Sequence, residues 1–215
     1  MGIGMYYKDA PENLYRIMTC YEPDFPASLE RVLEQVEFSK RQMDVSVDKK
    51  PIPWQAATLF MLARRYAKQR VLEIGTAFGY SASVLAEACP NVPITTLNPK
   101  QEEYTQATEN LAAYGNIQVV CETSDSFFTS NDSRYDFIFV DGDHTVNGVL
   151  RDCRFYERLH PGGLLFFHDY STGSSWRPCP DVIEAVRRFG LELGKEKPDI
   201  HISDMSGVGL AGFYK

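Results

Sequence analysis

The chain has 215 residues, of which 44% are hydrophobic and 13% aromatic, so it can bury one full core. Its formal net charge is −7 and no stretch concentrates Lys and Arg, which argues against nucleic-acid binding. The sequence shows neither a secretory leader nor an apolar run of about 18 residues, so a cytoplasmic protein without a membrane partner is expected. The five cysteines form no CxxC pair and are interpreted as small buried side chains in a reducing compartment.

The N-terminal quarter is predicted to lie outside the main fold. Residues 1–52 carry an irregular arm followed by an amphipathic helix over 27–43, and are interpreted as a lid or a dimer contact. A second helix is predicted over 54–69, directly after the breaker "PIP". No linker divides the rest, so residues 53–215 are expected to form the functional domain within one structural domain.

Strands and helices alternate from residue 70 onward. The segment "RVLEI" reads as a strand, followed by a turn with Gly75 and Gly79 and a helix over 80–88. Further strands are predicted over 92–97, 117–122, 135–141 and 163–169, with helices over 100–114, 147–158 and 181–189. Strands that are apolar on both faces and separated by helices indicate a parallel sheet covered on both sides. The last two strands, "DIHIS" and "VGLAGFY", are joined by "DMSG" and predict an antiparallel end.

The turn after the first strand is a candidate ligand site. In "EIGTAFGYS" the glycines permit a tight bend, and the helix that follows offers free N–H groups and a positive dipole end. In a doubly wound sheet, ligands bind outside the carboxyl ends of the strands. The spacing is GxxxG rather than the dinucleotide pattern GxGxxG, so a role in the turn alone remains an alternative.

Four motifs carry a resemblance to a known family. The segment "VLEIGTAFGYSASVLAEA" resembles the first motif of class I S-adenosylmethionine-dependent methyltransferases, in the O-methyltransferase branch with catechol, caffeoyl-CoA and bacterial small-molecule enzymes. The segments "YDFIFVDGDHT", "LHPGGLLFFHDY" and "GVGLAGFYK" resemble its fourth-strand, fifth-strand and closing-strand motifs, in the right order. The resemblance implies a Rossmann-like, doubly wound, seven-stranded α/β sheet, methyl transfer to a small-molecule hydroxyl, and an assembly compatible with a homodimer.

The resemblance also implies which residues bind the cofactor S-adenosylmethionine. Asp125 would lie by the adenine and Asp141 at the rim, while the methionine and ribose would be surrounded by Glu73, Gly75, Thr76, Gly79, Tyr80 and Ser81. The family usually ends its second strand with an acid that holds both ribose hydroxyls, but this chain has Asn98. Asn offers one acceptor oxygen and no charge, so ribose binding by Asn98 and a helix-capping role stand as equal alternatives.

Two aspartates follow neighbouring strands of the predicted sheet. Asp141 ends the fourth strand and Asp169 the fifth, and such oxygen ligands suit Mg²⁺, which lowers the pKa of a bound hydroxyl. In metal-dependent relatives an Asn follows the fifth-strand acid, whereas here Tyr170 follows it and His168 precedes it. The predicted metal ligands are therefore Asp141, Asp169 and His168. A metal-free variant, in which His168 and Asp169 act as hydrogen-bonding groups, stays open.

His144 is the predicted general base. It stands three residues after Asp141, where metal-dependent relatives carry a lysine that takes the hydroxyl proton. An imidazole with a pKa of about 6.5 accepts a proton at neutral pH. The predicted catalytic residues are thus His144, Asp141 and Asp169, and the alternative for His144 is a turn residue that caps the following helix. The competing function is a cofactor-binding regulator or scaffold without catalysis.

Overall fold

A computed structural model describes residues 53–170, 179–203 and 209–215. The predicted arm and helix within residues 1–52, and the turn "DMSG" at 204–207, lie outside this part of the chain. In the described part, no helix combines the length and the apolar character that a membrane span requires.

Seven strands form one sheet in the order β3-β2-β1-β4-β5-β7-β6. Strands β1 to β5 pair in parallel, while β7 runs antiparallel to both β5 and β6. The predicted fold class, a mostly parallel doubly wound sheet with an antiparallel C-terminal end, is confirmed. The strands are β1 Val71–Ile74, β2 Ile94–Leu97, β3 Ile117–Val120, β4 Tyr135–Val140, β5 Leu159–Phe167, β6 Ile200–Ser203 and β7 Gly209–Tyr214.

Six α-helices and one 3-10 helix accompany the strands in the described residues. They are α1 Pro53–Tyr66, α2 Tyr80–Ala88, α3 Gln101–Asn110, α4 Ser124–Ser130, α5 Val146–Cys153, the 3-10 helix Arg154–Arg158, and α6 Pro180–Glu192.

Two local elements differ from the sequence prediction. Helix α4 was not expected, because its residues are mostly polar and only Phe127 is buried; its start is fixed by the Thr123 side chain, which accepts from the Ser126 N–H. Strand β5 begins at residue 159 rather than 163. Its early part is held by the C-terminus, where the Gly162 N–H donates to the Lys215 carbonyl and the Lys215 N–H to the Gly163 carbonyl.

The sheet separates two hydrophobic layers. Along β4 all six residues are buried, and their side chains alternate between the faces as strand geometry requires. Phe137 and Phe139 pack in the layer that contains α1 and α2, whereas Ile138 and Val140 pack in the layer that contains residues of α5 and α6. Both faces of the central strands are therefore covered, which leaves the carboxyl ends of the strands as the place for a ligand.

A backbone contact fixes the bend after β1 against the end of β4. Ile74 is aligned with Val140, and the Asp141 N–H donates to the Ile74 carbonyl over 2.8 Å. Gly75 has a φ of 107°, and a Cβ atom at this position would lie 2.1 Å from the Asp141 carbonyl oxygen. Only glycine allows this approach, because any side chain would collide with backbone atoms.

The Gly75→Ala substitution should lower the free energy of unfolding by more than about 2 kcal/mol, since it combines a left-handed φ with a backbone collision. Gly115→Ala is the matched control, because no atom lies within 4 Å of the added Cβ. It should change stability by less than about 0.5 kcal/mol. Urea denaturation measures both, and equal losses in the two variants would contradict the proposed contact.

Candidate functional site

A chain of buried polar groups joins β1, the bend and β2. The Thr76 hydroxyl lies 2.6 Å from the Thr96 hydroxyl, which in turn donates to the carboxylate of Glu73. All three residues are almost fully buried. Thr96 was not identified from the sequence. The signal that could have identified it is a polar side chain within a strand that was predicted to be buried. This chain fixes the bend against the neighbouring strand.

Glu73 has an oxygen atom that no described residue satisfies. The residue is fully buried, Oε2 accepts from Thr96, and Oε1 has no hydrogen-bond partner among the described residues. Burial raises the pKa of Glu73 to about 7, although the hydroxyls of Ser81 and Thr96 oppose the shift. A buried carboxylate oxygen without a partner is costly. The position is therefore suited to a ligand that brings a donor or a positive charge.

The predicted cofactor residues around the first strand form one continuous bend. The Thr76 N–H donates to the Leu97 carbonyl, and the Gly79 N–H donates to the Thr76 carbonyl. Ala77 and Gly79 have φ values of 44° and 95°, and α2 begins directly afterwards at Tyr80. The left-handed conformation of a non-glycine residue is uncommon and often marks a functional turn.

Asn98 is buried and bonded within the protein. Its Oδ1 accepts from the Lys100 N–H over 3.0 Å, and its Nδ2 donates to the Ala77 carbonyl over 3.2 Å and to Glu103 Oε2 over 3.0 Å. Helix α3 starts at residue 101 with Lys100 as its cap residue, so Asn98 supports the turn before the helix rather than capping it directly. Ribose binding by Asn98 stays a prediction.

Asp125 lies in the first turn of α4, on the surface. Its side chain is 56% exposed and forms an ion pair with Arg154. The helix follows β3, so Asp125 belongs to the same edge of the sheet as the bend. Its predicted position by an adenine stays a prediction.

Four side chains from two neighbouring strand ends converge at this edge. His144 Nε2 lies 3.2 Å from Asp141 Oδ1 and 3.3 Å from Asp169 Oδ2. His168 Nδ1 lies 3.3 Å from Asp141 Oδ1 and 3.1 Å from Asp169 Oδ1. We refer to these four residues as the rim cluster. Asp169 has a φ of 58°, the strained left-handed region, which is rare for a residue other than glycine.

His168 is the inner imidazole of the rim cluster. Its Nε2 lies 3.1 Å from Gln55 Oε1, a buried residue of α1 that sequence analysis did not identify. When Nε2–H donates to Gln55, a protonated Nδ1 is needed to face the carboxylates of Asp141 and Asp169. Burial alone would lower the pKa of His168, but the two carboxylates raise it well above its usual value. The two carboxylates therefore favour the protonated form of His168.

The remaining groups of the rim cluster are electrostatically coupled. Burial by itself raises the pKa of Asp141, but the charge of the nearby His168 and the hydrogen bond from His144 bring it below its usual value. The pKa of His144 is raised, mainly by its hydrogen bond to Asp141 and also by the charges of Asp141 and Asp169. His144 is thus a stronger base than a free imidazole.

Cys179 adds an unpredicted neighbour to the rim cluster. It precedes α6, and its pKa is raised to about 11 by burial and by the nearby carboxylates of Asp169 and Asp141. The prediction that all cysteines are buried is correct for Cys89 and Cys153 but wrong for Cys121 and Cys179, which are half-buried. Cys20 lies outside the described residues.

Three members of the rim cluster have the spacing of a metal site. Donor atoms of Asp141, His144 and Asp169 all lie within 4.8 Å of one another. This group includes His144, whereas the sequence analysis assigned His168 as the third ligand. The structure places His144 Nε2 3.3 Å from Asp169 Oδ2, a contact between two strand ends that sequence spacing does not reveal.

Comparison with known proteins gives one family match and several solved structures with a similar fold. Residues 72–170 match the family described as a methyltransferase domain. A methyltransferase from Podospora anserina, solved with bound SAH, has 20% identity and a TM-score of 0.64, with 86% of this chain and 87% of that chain covered. The O-methyltransferase TomG from Streptomyces achromogenes, involved in tomaymycin synthesis and solved with SAM, has 21% identity and a TM-score of 0.63, with 86% and 89% covered.

Two further relatives complete the comparison. An O-methyltransferase from Bacillus cereus, solved with SAH, has 20% identity and a TM-score of 0.58, with 88% of this chain and 91% of that chain covered. An uncharacterized protein of Acanthamoeba polyphaga mimivirus is 27% identical over 141 residues, which span 59% of this chain and only 62% of that protein. These matches agree with the resemblance seen in the motifs: residues 72–170 match a methyltransferase-domain family, and the chain has the same fold as the two solved methyltransferases.

Proposed function

We propose that this chain transfers a methyl group from S-adenosylmethionine to a hydroxyl oxygen of a small molecule. The observation that carries this proposal is the contact between Gly75 and Asp141, which brings the bend after β1 against the rim cluster at one edge of the sheet. Oxygen as the acceptor is supported by the O-methyltransferases among the similar structures. It is further supported by the carboxylates and imidazoles at the rim, which suit the removal of a hydroxyl proton.

The bend has features that fit the cofactor. S-adenosylmethionine carries a sulfonium and an ammonium group, and the unsatisfied Oε1 of buried Glu73 can accept from or neutralise a positive group. Gly75 keeps the backbone at the bend free of a side chain, so a ligand can approach it closely. When bound, the cofactor supplies a methyl group on a good leaving group. The protein's part is to align this methyl group with the acceptor oxygen.

His144 is the proposed proton acceptor. Its Nε2–H donates toward Asp141 and Asp169, so Nδ1 carries the lone pair in that tautomer. When an acceptor hydroxyl takes the methyl group, its proton would move to His144 Nδ1. The two carboxylates stabilise the resulting imidazolium. The His144 side chain is 47% exposed, whereas that of His168 is 17% exposed and its Nε2 lies against Gln55 Oε1. His144 is therefore the imidazole that is open to a substrate.

The group formed by Asp141, His144 and Asp169 also fits a divalent cation. Because one donor is an imidazole nitrogen, the set suits Mn²⁺ or another first-row transition ion better than Mg²⁺, which prefers oxygen ligands alone. A bound ion would polarise the acceptor oxygen. The ion would take the place of the proton on His144 Nε2, so it would also change the proposed base. Metal binding must therefore be measured directly, in addition to activity.

The Glu73→Gln substitution tests the cofactor pocket. In the wild type, burial raises the pKa of Glu73 from its ordinary value of 4.5 to about 7, so the stability cost of the buried charge is absent below pH 4.5 and develops as the pH rises from there to about 7. At pH 8 the free energy of unfolding of the variant should therefore exceed that of the wild type by up to roughly 3 kcal/mol. Near pH 4 the two proteins should differ little in this quantity. Its affinity for S-adenosylmethionine should fall about tenfold.

Denaturation at pH 4 and 8, together with calorimetric titration of the cofactor, measures both effects of Glu73→Gln. Glu109→Gln is the control, since Glu109 is exposed on α3. The same stability change at both pH values, or unchanged cofactor affinity, would count against the assigned role of Glu73.

The His144→Gln substitution tests the base. Turnover should fall by about 10²-fold or more, while cofactor affinity stays within about threefold. In the wild type, turnover should fall as the pH drops below the raised pKa of His144, because the neutral imidazole is then lost. Release of S-adenosylhomocysteine over a panel of phenols, catechols and alcohols measures turnover, with His160→Gln as the matched control. Cofactor binding by the wild type without turnover on any acceptor would favour a non-catalytic cofactor-binding module.

Metal binding is tested with the apoprotein. We expect Mn²⁺ to bind more tightly than Mg²⁺, and Asp169→Asn to weaken Mn²⁺ binding at least about tenfold. Asp181→Asn, an exposed position on α6, should leave it unchanged. Electron paramagnetic resonance of free Mn²⁺ reports binding without reference to activity. If Mn²⁺ stays free at millimolar protein, the reaction runs without an ion and the metal assignment is wrong.

A further inference from the structure

Gln55 is a buried polar residue near the start of α1, and one atom of its amide faces the rim cluster. The residue is 3% exposed, and its Oε1 lies 3.1 Å from His168 Nε2. Its Nε2 has no hydrogen-bond partner among the described residues. A buried amide donor without a partner costs free energy, and a Met side chain would fill a similar volume without that donor. Stability therefore does not account for both polar atoms of Gln55.

The ring of His168 is contacted from three directions. Gln55 Oε1 lies at Nε2, while oxygens of Asp141 and Asp169 lie 3.3 and 3.1 Å from Nδ1. Phe139 meets the ring edge-on, with ring centroids 6.3 Å apart and planes inclined by 79°. An imidazole can turn over about its last torsion, which exchanges the positions of nitrogen and carbon atoms. A ring turned in this way would present carbon atoms to Gln55 and to the carboxylates, so the amide oxygen favours the observed orientation.

The two carboxylates beside His168 are the same ones that contact His144. Asp169 divides its oxygens, with Oδ1 facing His168 over 3.1 Å and Oδ2 facing His144 over 3.3 Å. Asp141 Oδ1 lies 3.2 Å from His144 Nε2 and 3.3 Å from His168 Nδ1. Because both carboxylates are shared, a turned His168 ring would withdraw Nδ1 from them. The side chains that orient His144 would then lose their inner contact.

We propose that Gln55 is a positioning residue that fixes the ring of His168 and, through this ring, the carboxylates that orient His144. The expected effect on turnover rests on the proposed function, whereas the effect on the His168 ring does not. The partner on the far side of a functional histidine commonly sets the orientation of its ring. Helix α1 thus contributes to the geometry of the site through Gln55, without supplying a group to the reaction.

The substitutions Gln55→Met and Gln55→Glu separate positioning from packing. Met has a similar length and no acceptor, whereas Glu keeps an acceptor oxygen and lacks the unpartnered amide donor. We expect Gln55→Met to lower kcat about tenfold or more, with KM and the affinity for S-adenosylhomocysteine within about threefold of the wild type. Gln55→Glu should retain at least about half of the wild-type kcat. Gln69→Met, the same change at an exposed position after α1, should leave all three quantities unchanged.

The histidine side chains give a readout that does not depend on turnover. The chain has four histidines, so their ring signals can be separated in a ¹H–¹⁵N spectrum. An Nε2–H of His168 that donates to Gln55 should exchange slowly with solvent, and its contact with the Phe139 ring assigns it. We expect this proton signal in the wild type and in Gln55→Glu, but not in Gln55→Met. The urea midpoint of Gln55→Met should stay close to that of the wild type, because an unpartnered donor and an acceptor are lost together.

The proposal is wrong if Gln55→Met keeps the wild-type kcat, if Gln55→Met and Gln55→Glu lose kcat equally, or if the His168 Nε2–H signal persists in Gln55→Met. If Gln55→Met does not fold, the wild-type spectrum decides, since the lack of a slowly exchanging Nε2–H on His168 would contradict the contact with Gln55. Wild-type protein that methylates no acceptor would contradict the proposed function. The spectra would still show in that case whether Gln55 holds the His168 ring.

Discussion

The close approach of the Gly75 backbone to the Asp141 carbonyl fixes the position of the bend after β1 against the rim cluster. A Cβ on Gly75 would lie 2.1 Å from that oxygen, so the two chain segments touch without a side chain between them. Because the contact is between backbone atoms of adjacent parallel strands, side-chain rotation does not alter it. The negative charge of Asp141 is felt at Glu73, where it adds to the rise in pKa caused mainly by burial. The bend after β1 and the rim cluster are therefore electrostatically linked.

The bend after β1 and the rim cluster contain features that do not stabilise the folded state. Glu73 is buried with an unsatisfied oxygen, and Asp169 holds a left-handed backbone conformation. Such features each cost free energy and persist where the surrounding structure enforces them, which is typical of functional sites. In the rim cluster the carboxylates of Asp141 and Asp169 are balanced by two imidazoles whose pKa values they raise. A donor with positive charge and an acceptor that loses a proton both suit these surroundings.

Much of this arrangement is predictable from the sequence. Strands that are apolar on both faces and separated by helices indicate the parallel sheet, and parallel strands carry Asp141, His144 and Asp169 to one edge. The contact of Gln55 was not predictable, because it joins the rim cluster to a helix that is distant in sequence. His168 and Gln55 are separated by 113 positions, and only the packing of α1 on the sheet brings them together. Helix α4 was missed for another reason: a short polar helix has no apolar periodicity to detect.

A crystal structure of the protein grown with saturating S-adenosylhomocysteine tests the central claim most directly. The account predicts density for the homocysteine against Glu73 and the bend at Gly75, with its sulfur atom facing the rim cluster. Density for the ligand at another surface, or a sulfur atom separated from Asp141, His144 and Asp169 by protein side chains, would contradict it.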